Sequence, residues 1–170
     1  MGVDSILKRE HELIEMFFNE LKDVKNLNIL AGQHQDRLGV FSFYIDELHY
    51  NLGVKLLNDR FGIQTRGGCS CAGTYGHYLL HVDYETSHEL TQEISIGDLV
   101  RKPGWIRLSI HPTTTNAEMH LICESIKSLA KHHKTWAKEY DYISSTNEFV
   151  NNTSKNNNSE ELPIKDWFQL

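Results

Sequence analysis

The chain has 170 residues, 39% hydrophobic and 24% charged, and its 17 Lys and Arg against 23 Asp and Glu give a formal net charge of −6. That length suits one domain, one that buries roughly 70% of the surface its unfolded form exposes, so neither a disulfide scaffold nor a metal is needed merely to fold. With 11 Gly and 3 Pro the chain is neither collagen-like nor Pro-rich; it has no apolar run near the ~20 residues of a membrane span, and an acidic chain without a basic stripe is a poor nucleic-acid binder.

The N-terminal Met-Gly-Val-Asp-Ser lacks the basic-then-apolar layout of a signal peptide. Three cysteines, Cys69, Cys71 and Cys123, therefore read as reduced thiols in a cytoplasmic protein.

Residues 4 to 25 read as a helix, because Ile6, Leu13, Ile14, Phe17, Leu21 and Val24 recur at three- and four-residue steps. Asp4 or Ser5 is placed to cap it. Residues 26 to 30 suit a very short strand, and 31 to 37 a loop. Residues 38 to 45 read as a strand, with Phe41, Phe43 and Ile45 on one face and Val40, Ser42 and Tyr44 on the other. A helix is expected from Tyr50 to Phe61, stopped by a left-handed Gly62. Residues 63 to 66 form a short strand whose pairing should end at Gly67-Gly68.

Thr86 and Glu89 make a capping box, which predicts a short helix to about Ile94. Pro103-Gly104 is a turn. From Trp105 to Ile110 the residues alternate: Ile106, Leu108 and Ile110 point one way, Trp105, Arg107 and Ser109 the other. Thr115 and Glu118 form a second capping box, opening a long helix to about Ala137 with an apolar face of Ile122, Ile126, Leu129, Ala130 and Trp136. Residues 141–170 read as a tail: an Asn-rich low-complexity stretch that cannot bury a core, then an apolar end around Leu162 to Phe168. The pattern predicts an α+β fold, a two-layer sandwich. A small, mostly antiparallel sheet carries helices on one face and turns the Arg107 face away from them.

The densest chemistry lies in residues 66 to 77, where four Gly, two thiols, Arg66 and His77 crowd together. Glycines let backbone approach a ligand closely. A Cys near Arg and His is activated as thiolate. The same stretch also reads as a Gly-rich turn with small buried thiols. Cys69, Cys71, His77 and His81 could offer zinc four ligands, but C-x-C is an unusual spacing for it. Arg107, set among Ile and Leu in a strand, needs a partner. That partner is an Asp or Glu of the chain or a carboxylate ligand held by a bidentate clamp.

The order of helix, strand, helix, then I-x-x-R-x-G-x-x-C-A, then P-G-x-x-R-x-S-x-x-P-x-x-T, then a long helix resembles one family. It is the C-terminal small domain of class V aminotransferase-fold (fold-type I) pyridoxal-phosphate enzymes, within the cysteine desulfurase and selenocysteine lyase branch. The likeness covers about residues 3 to 137. It implies that Cys71 takes up substrate sulfur as a persulfide, that Arg107 binds the substrate α-carboxylate, and that Arg66 lies near the active site. The branch carries His-His before the cysteine; here Cys69-Ser70 stand there. The resemblance also implies pyridoxal 5'-phosphate as cofactor, an amino-acid substrate and a homodimer. In the family the Schiff-base lysine and the cofactor belong to a preceding large domain. Residues 1–140 are thus expected to be the small domain of a longer polypeptide, inactive alone. An aminotransferase or lyase that leaves Cys71 unused, and a non-catalytic carboxylate-binding module, are the alternatives.

Overall fold

The structure, a computed structural model, describes residues 2–69 and 73–152. Its first helix, α1 (Val3–Leu21), buries Leu13, Ile14, Phe17, Phe18 and Leu21 on one stripe. It is shorter at its C-terminal end than the periodicity predicts, and Gly2 rather than Asp4 or Ser5 stands at the N-cap, without a side-chain bond. β1 (Leu27–Ile29) and β2 (Val40–Ile45) follow, then α2 (Tyr50–Phe61). Gly62 closes α2 at φ +68, its amide reaching back to the carbonyls of Leu57 and Asn58. That is the left-handed stop expected of a glycine here.

β3 (Arg66–Gly68) differs from expectation. Pairing does not end at the two glycines; it begins at Arg66 and includes both. A side chain at Gly67 would stand 2.8 Å from Asn51 Oδ1 and 2.9 Å from Tyr50 Cδ2. The missing Cβ is what lets this strand lie against α2. Next come α3 (Gly73–Leu79), α4 (Tyr84–Ser95), β4 (Trp105–Ser109) and α5 (Asn116–Trp136). α4 starts before the expected box: Asp83, not Thr86, is its N-cap, and the Asp83 carboxylate accepts from the Thr86 amide at 2.8 Å. The Thr115–Glu118 capping box of α5 forms in both directions.

β5 (Tyr140–Ile143) and β6 (Glu148–Asn151) form a hairpin where composition alone reads a tail. The expected change of character at residue 141 thus falls inside paired structure. The Asn-rich stretch beyond it and the apolar C-terminal end lie almost wholly outside the described residues. Tyr140 and Phe149 give the hairpin an apolar grip on the core, and the Tyr140 hydroxyl donates to Asp59 Oδ2 at 2.9 Å.

The sheet runs β1-β2-β4-β3, antiparallel throughout. One face meets α1, α2 and α5. There Phe41, Phe43 and Ile45 of β2 and Ile106 and Leu108 of β4 join Leu13, Phe17, Leu56, Leu57, Met119, Cys123, Ile126 and Leu129 in one core. Phe17 stacks on Phe41 with ring centroids 3.7 Å apart. This is the predicted two-layer α+β arrangement. Among the described residues no helix is long and apolar enough to cross a membrane.

Two tests follow from this packing. Phe41→Ala should cost about 3–5 kcal/mol, because a filled site loses a stacked ring. Thr115→Ala should cost about 1 kcal/mol, the worth of one cap. Denaturant unfolding of both variants checks the ratio. Burial pushes the Cys123 thiol from its ordinary 9.0 up to about 12. The unfolded thiol ionises first, so this contribution to stability is complete below about pH 9 and fades as pH rises toward about 12. Cys123 should resist alkylation until the chain unfolds. Cys123→Ala should flatten the loss of stability measured between about pH 8 and about pH 10.

Candidate functional site

The second face of the sheet carries Arg66 and Arg107. Arg107 of β4 is flanked in register by Ser42 of β2 and Arg66 of β3. Directly opposed residues of antiparallel strands share a face, with Cβ atoms ~5 Å apart. Two guanidinium side chains therefore start from neighbouring points on one surface. Like charges so placed destabilise a sheet unless something negative stands between them. Among the described residues no carboxylate forms an ion pair with either arginine. Their ion pairs lie elsewhere, as in Lys127 with Glu20 and Glu124, or Lys134 with Glu47. The internal acid partner considered for Arg107 is not found there. Arg107 is half-buried, and its Nε is buried with no hydrogen-bond acceptor. A buried charged donor left open costs free energy, and an entering carboxylate would recover it.

Trp105 stands two residues before Arg107 on the same face, yet it is buried. The cover is α3: a Cβ at Gly76 would lie 3.2 Å from the Trp105 ring and 3.7 Å from Cys69 Cβ. Gly76 lets the helix sit down on the indole beside Cys69. Gly68, at φ +115, turns the chain out of β3 at Cys69. Cys69 is half-buried, with a free thiol. Cys71 lies outside the described residues.

The zinc reading finds no support among the described members of its ligand set. His77 engages Ser87 Oγ through Nδ1 at 2.7 Å, tying α3 to α4. His81 is exposed, in a left-handed turn at φ +54. Among the described residues only Glu20, His120 and Glu124 gather in a ligand-like group. The Lys127 ammonium already bonds both carboxylates there, and no cation is needed.

No lysine stands on β1, β2, β3 or β4. These four strands thus offer no amine for a Schiff base. Ser42 beside Arg107 is a contribution the sequence placed on the right face without a neighbour. Its partner strand became visible only with the register.

Comparison with solved structures finds similar folds. The cysteine desulfurase CsdA (S-sulfonic acid) from Escherichia coli superposes with a TM-score of 0.50 at 15% identity, covering 77% of this chain and 27% of that one. The apo structure of cysteine desulfurase from Thermococcus onnurineus NA1 gives a TM-score of 0.53 at 21% identity, covering 76% and 27%. The chain thus spans about a quarter of the length of these proteins. No curated protein matches it significantly. The sequence profile described as Aminotransferase class-V matches residues 1–122, from α1 through both arginine strands into α5, and this chain belongs to that family.

Proposed function

We propose that residues 1–140 act as the C-terminal small domain of a pyridoxal-phosphate enzyme of the cysteine desulfurase kind. The observation that carries this reading is the opposed pair Arg66 and Arg107, without an acid partner among the described residues and with the Arg107 Nε open. Such a pair binds the α-carboxylate of an amino acid. The flat guanidinium offers two parallel N–H groups to two oxygens, and the second arginine offsets the cost of burying the charge. Ser42 adds a hydroxyl on the same row.

Pyridoxal phosphate supplies an electron sink for chemistry at the amino acid. In this reading a large domain of the same polypeptide holds it, as the family resemblance implies. The chain's own part is to orient the substrate by its carboxylate and bring a thiol to its side chain. With cysteine as substrate the C–S bond breaks, an S–S bond forms on Cys71, and the substrate carbon takes the proton that the thiol gives up. Alanine and a persulfide result, with no external oxidant. The cytoplasm, where thiols stay reduced, suits this chemistry, and a homodimer is the family's usual assembly.

The test is the enzyme expressed from the complete reading frame. With an added dithiol as reductant to release the persulfide sulfur, L-cysteine should yield sulfide and alanine, and Cys71→Ser should abolish both. Keto-acid formation from another amino acid, unaffected by Cys71→Ser, would mark an aminotransferase or lyase instead. Carboxylate binding without turnover would mark a binding module. Arg107→Ala should weaken substrate by about 2–4 kcal/mol, roughly 30- to 1,000-fold in kcat/KM. Arg107→Lys should be nearly as harmful, because a point charge does not replace the fork. Unchanged kinetics in both variants would remove Arg107 from the site.

A further inference from the structure

Both stems of the excursion that carries the thiols rest on one ring. Residues 69–104 leave the sheet at Gly68 and return at Gly104, and Gly68 pairs with Trp105. The phenol of Tyr50, the first residue of α2, lies beneath this junction. A Cβ at Gly104 would stand 2.6 Å from Tyr50 Cε1 and 2.9 Å from Gly68 Cα, and one at Gly68 would be 3.9 Å from Tyr50 Cε2. Glycine at these positions lets two backbones and a ring meet. At Gly104 a side chain would have to move the ring or the facing backbone, and at Gly68 the positive φ favours glycine.

The ring is held from below by the hairpin. Asn147, 9% exposed and at φ +56 in the β5–β6 turn, donates from Nδ2 to the Tyr50 hydroxyl at 3.0 Å. Its Oδ1 accepts from the Tyr142 hydroxyl at 3.0 Å, and its carbonyl accepts from Asn51 Nδ2 at 2.5 Å. Three of its polar groups are thus engaged. On the flank, His49 stacks against Tyr50 at 4.5 Å and touches the rings of Tyr142 and Phe149. Burial holds the Tyr50 phenol above its usual range, with Cys69 and Tyr142 pushing the same way. The hydroxyl therefore stays protonated and neutral at physiological pH. A buried Asn spent on a Tyr that an apolar side chain could replace is a costly arrangement for packing alone. It serves better as a device that fixes one ring orientation.

We propose that Tyr50 and Asn147 are positioning residues for the thiol loop: the β5–β6 hairpin clamps the Tyr50 ring under Gly68 and Gly104 and so fixes both stems of residues 69–104 relative to Arg107. The hairpin lies beyond residues 1–122, the part of the chain that the family profile matches. The inference rests on the proposed function for the meaning of the loop, not for its geometry.

The experiment is native-state alkylation of the full chain with iodoacetamide, read by peptide mapping. Cys69 reports the loop stem, and Cys123, sealed in the core, reports global opening. Tyr50→Phe keeps the ring and loses the tether. Asn147→Gly keeps the left-handed backbone and loses the side-chain bonds. Each should speed Cys69 modification about fivefold relative to Cys123, the effect of one buried hydrogen bond on a local equilibrium. Gly104→Ala, which pushes the ring aside with the tether intact, should do the same. A Cys69 rate that is unchanged or lowered overturns the proposal. So does a rise shared equally by Cys123, which would mark general loosening. The ratio is read without substrate or cofactor, so it stands or falls independently of sulfide release by the complete enzyme.

Discussion

Two arginines face each other across an edge pair of strands, and much of the sheet can be understood as the means of holding them there. Arg66 and Arg107 occupy opposed positions on β3 and β4. Three residues of β3 would not survive at a sheet edge on their own pairing. The opposite face of β4 supplies the stability, through Ile106 and Leu108 in the core. The glycines of β3 let that strand sit against α2 without a spacer. The repulsion between the two guanidinium groups is thus carried by apolar packing on the other side of the sheet. No carboxylate among the described residues forms an ion pair with either arginine.

The charge distribution supports the same view. The chain is acidic overall, yet its described ion pairs sit on the helices and in the loops that flank them. Lys55 meets Asp59, Lys127 meets Glu20 and Glu124, Lys134 meets Glu47, and Arg101 meets Glu93. Exposed pairs of this kind contribute little to stability. None of these acids pairs with Arg66 or Arg107, and that matters more. Under the proposed function, an acid beside Arg107 would compete with the substrate carboxylate for the same fork, at a local concentration no solute could match.

The legible part of this fold was whatever obeyed a short period. Phe41, Phe43 and Ile45 announced a strand face, and the spacing through Thr115, Glu118 and Ile126 announced a capped helix; both stand. The Arg107 face was legible for the same reason, since alternation in β4 puts it opposite Ile106 and Leu108. Long-range partners were not. No local rule says that Ser42 and Arg66 flank Arg107, because register is set by the whole sheet. Gly67-Gly68 read as a break because their composition opposes strand pairing. Tertiary packing overrode it, since α2 leaves room there only for a missing side chain. The hairpin of residues 140–151 escaped notice because its apolar residues are few and serve contacts made elsewhere. Asn147, the most consequential of them, looks in sequence like one more asparagine beside an Asn-rich stretch.

That last residue shows how the two layers are coupled. α2 touches the hairpin at its first turn through Asn51 and Tyr50, the sheet edge through the glycines of β3, and β4 through Gly53, where a Cβ would lie 2.4 Å from Ile106 Cδ1. One helix therefore registers three elements against each other by close approach rather than by charge. Close-packed contacts transmit displacement, because there is little free volume to absorb it. A shift of the hairpin by a fraction of an ångström would reach Tyr50, then Gly68 and Gly104, and then Cys69. Under the proposed function, packing around α2 would set the distance between the Arg107 clamp and the thiol loop, and the arginines would decide only where the substrate begins.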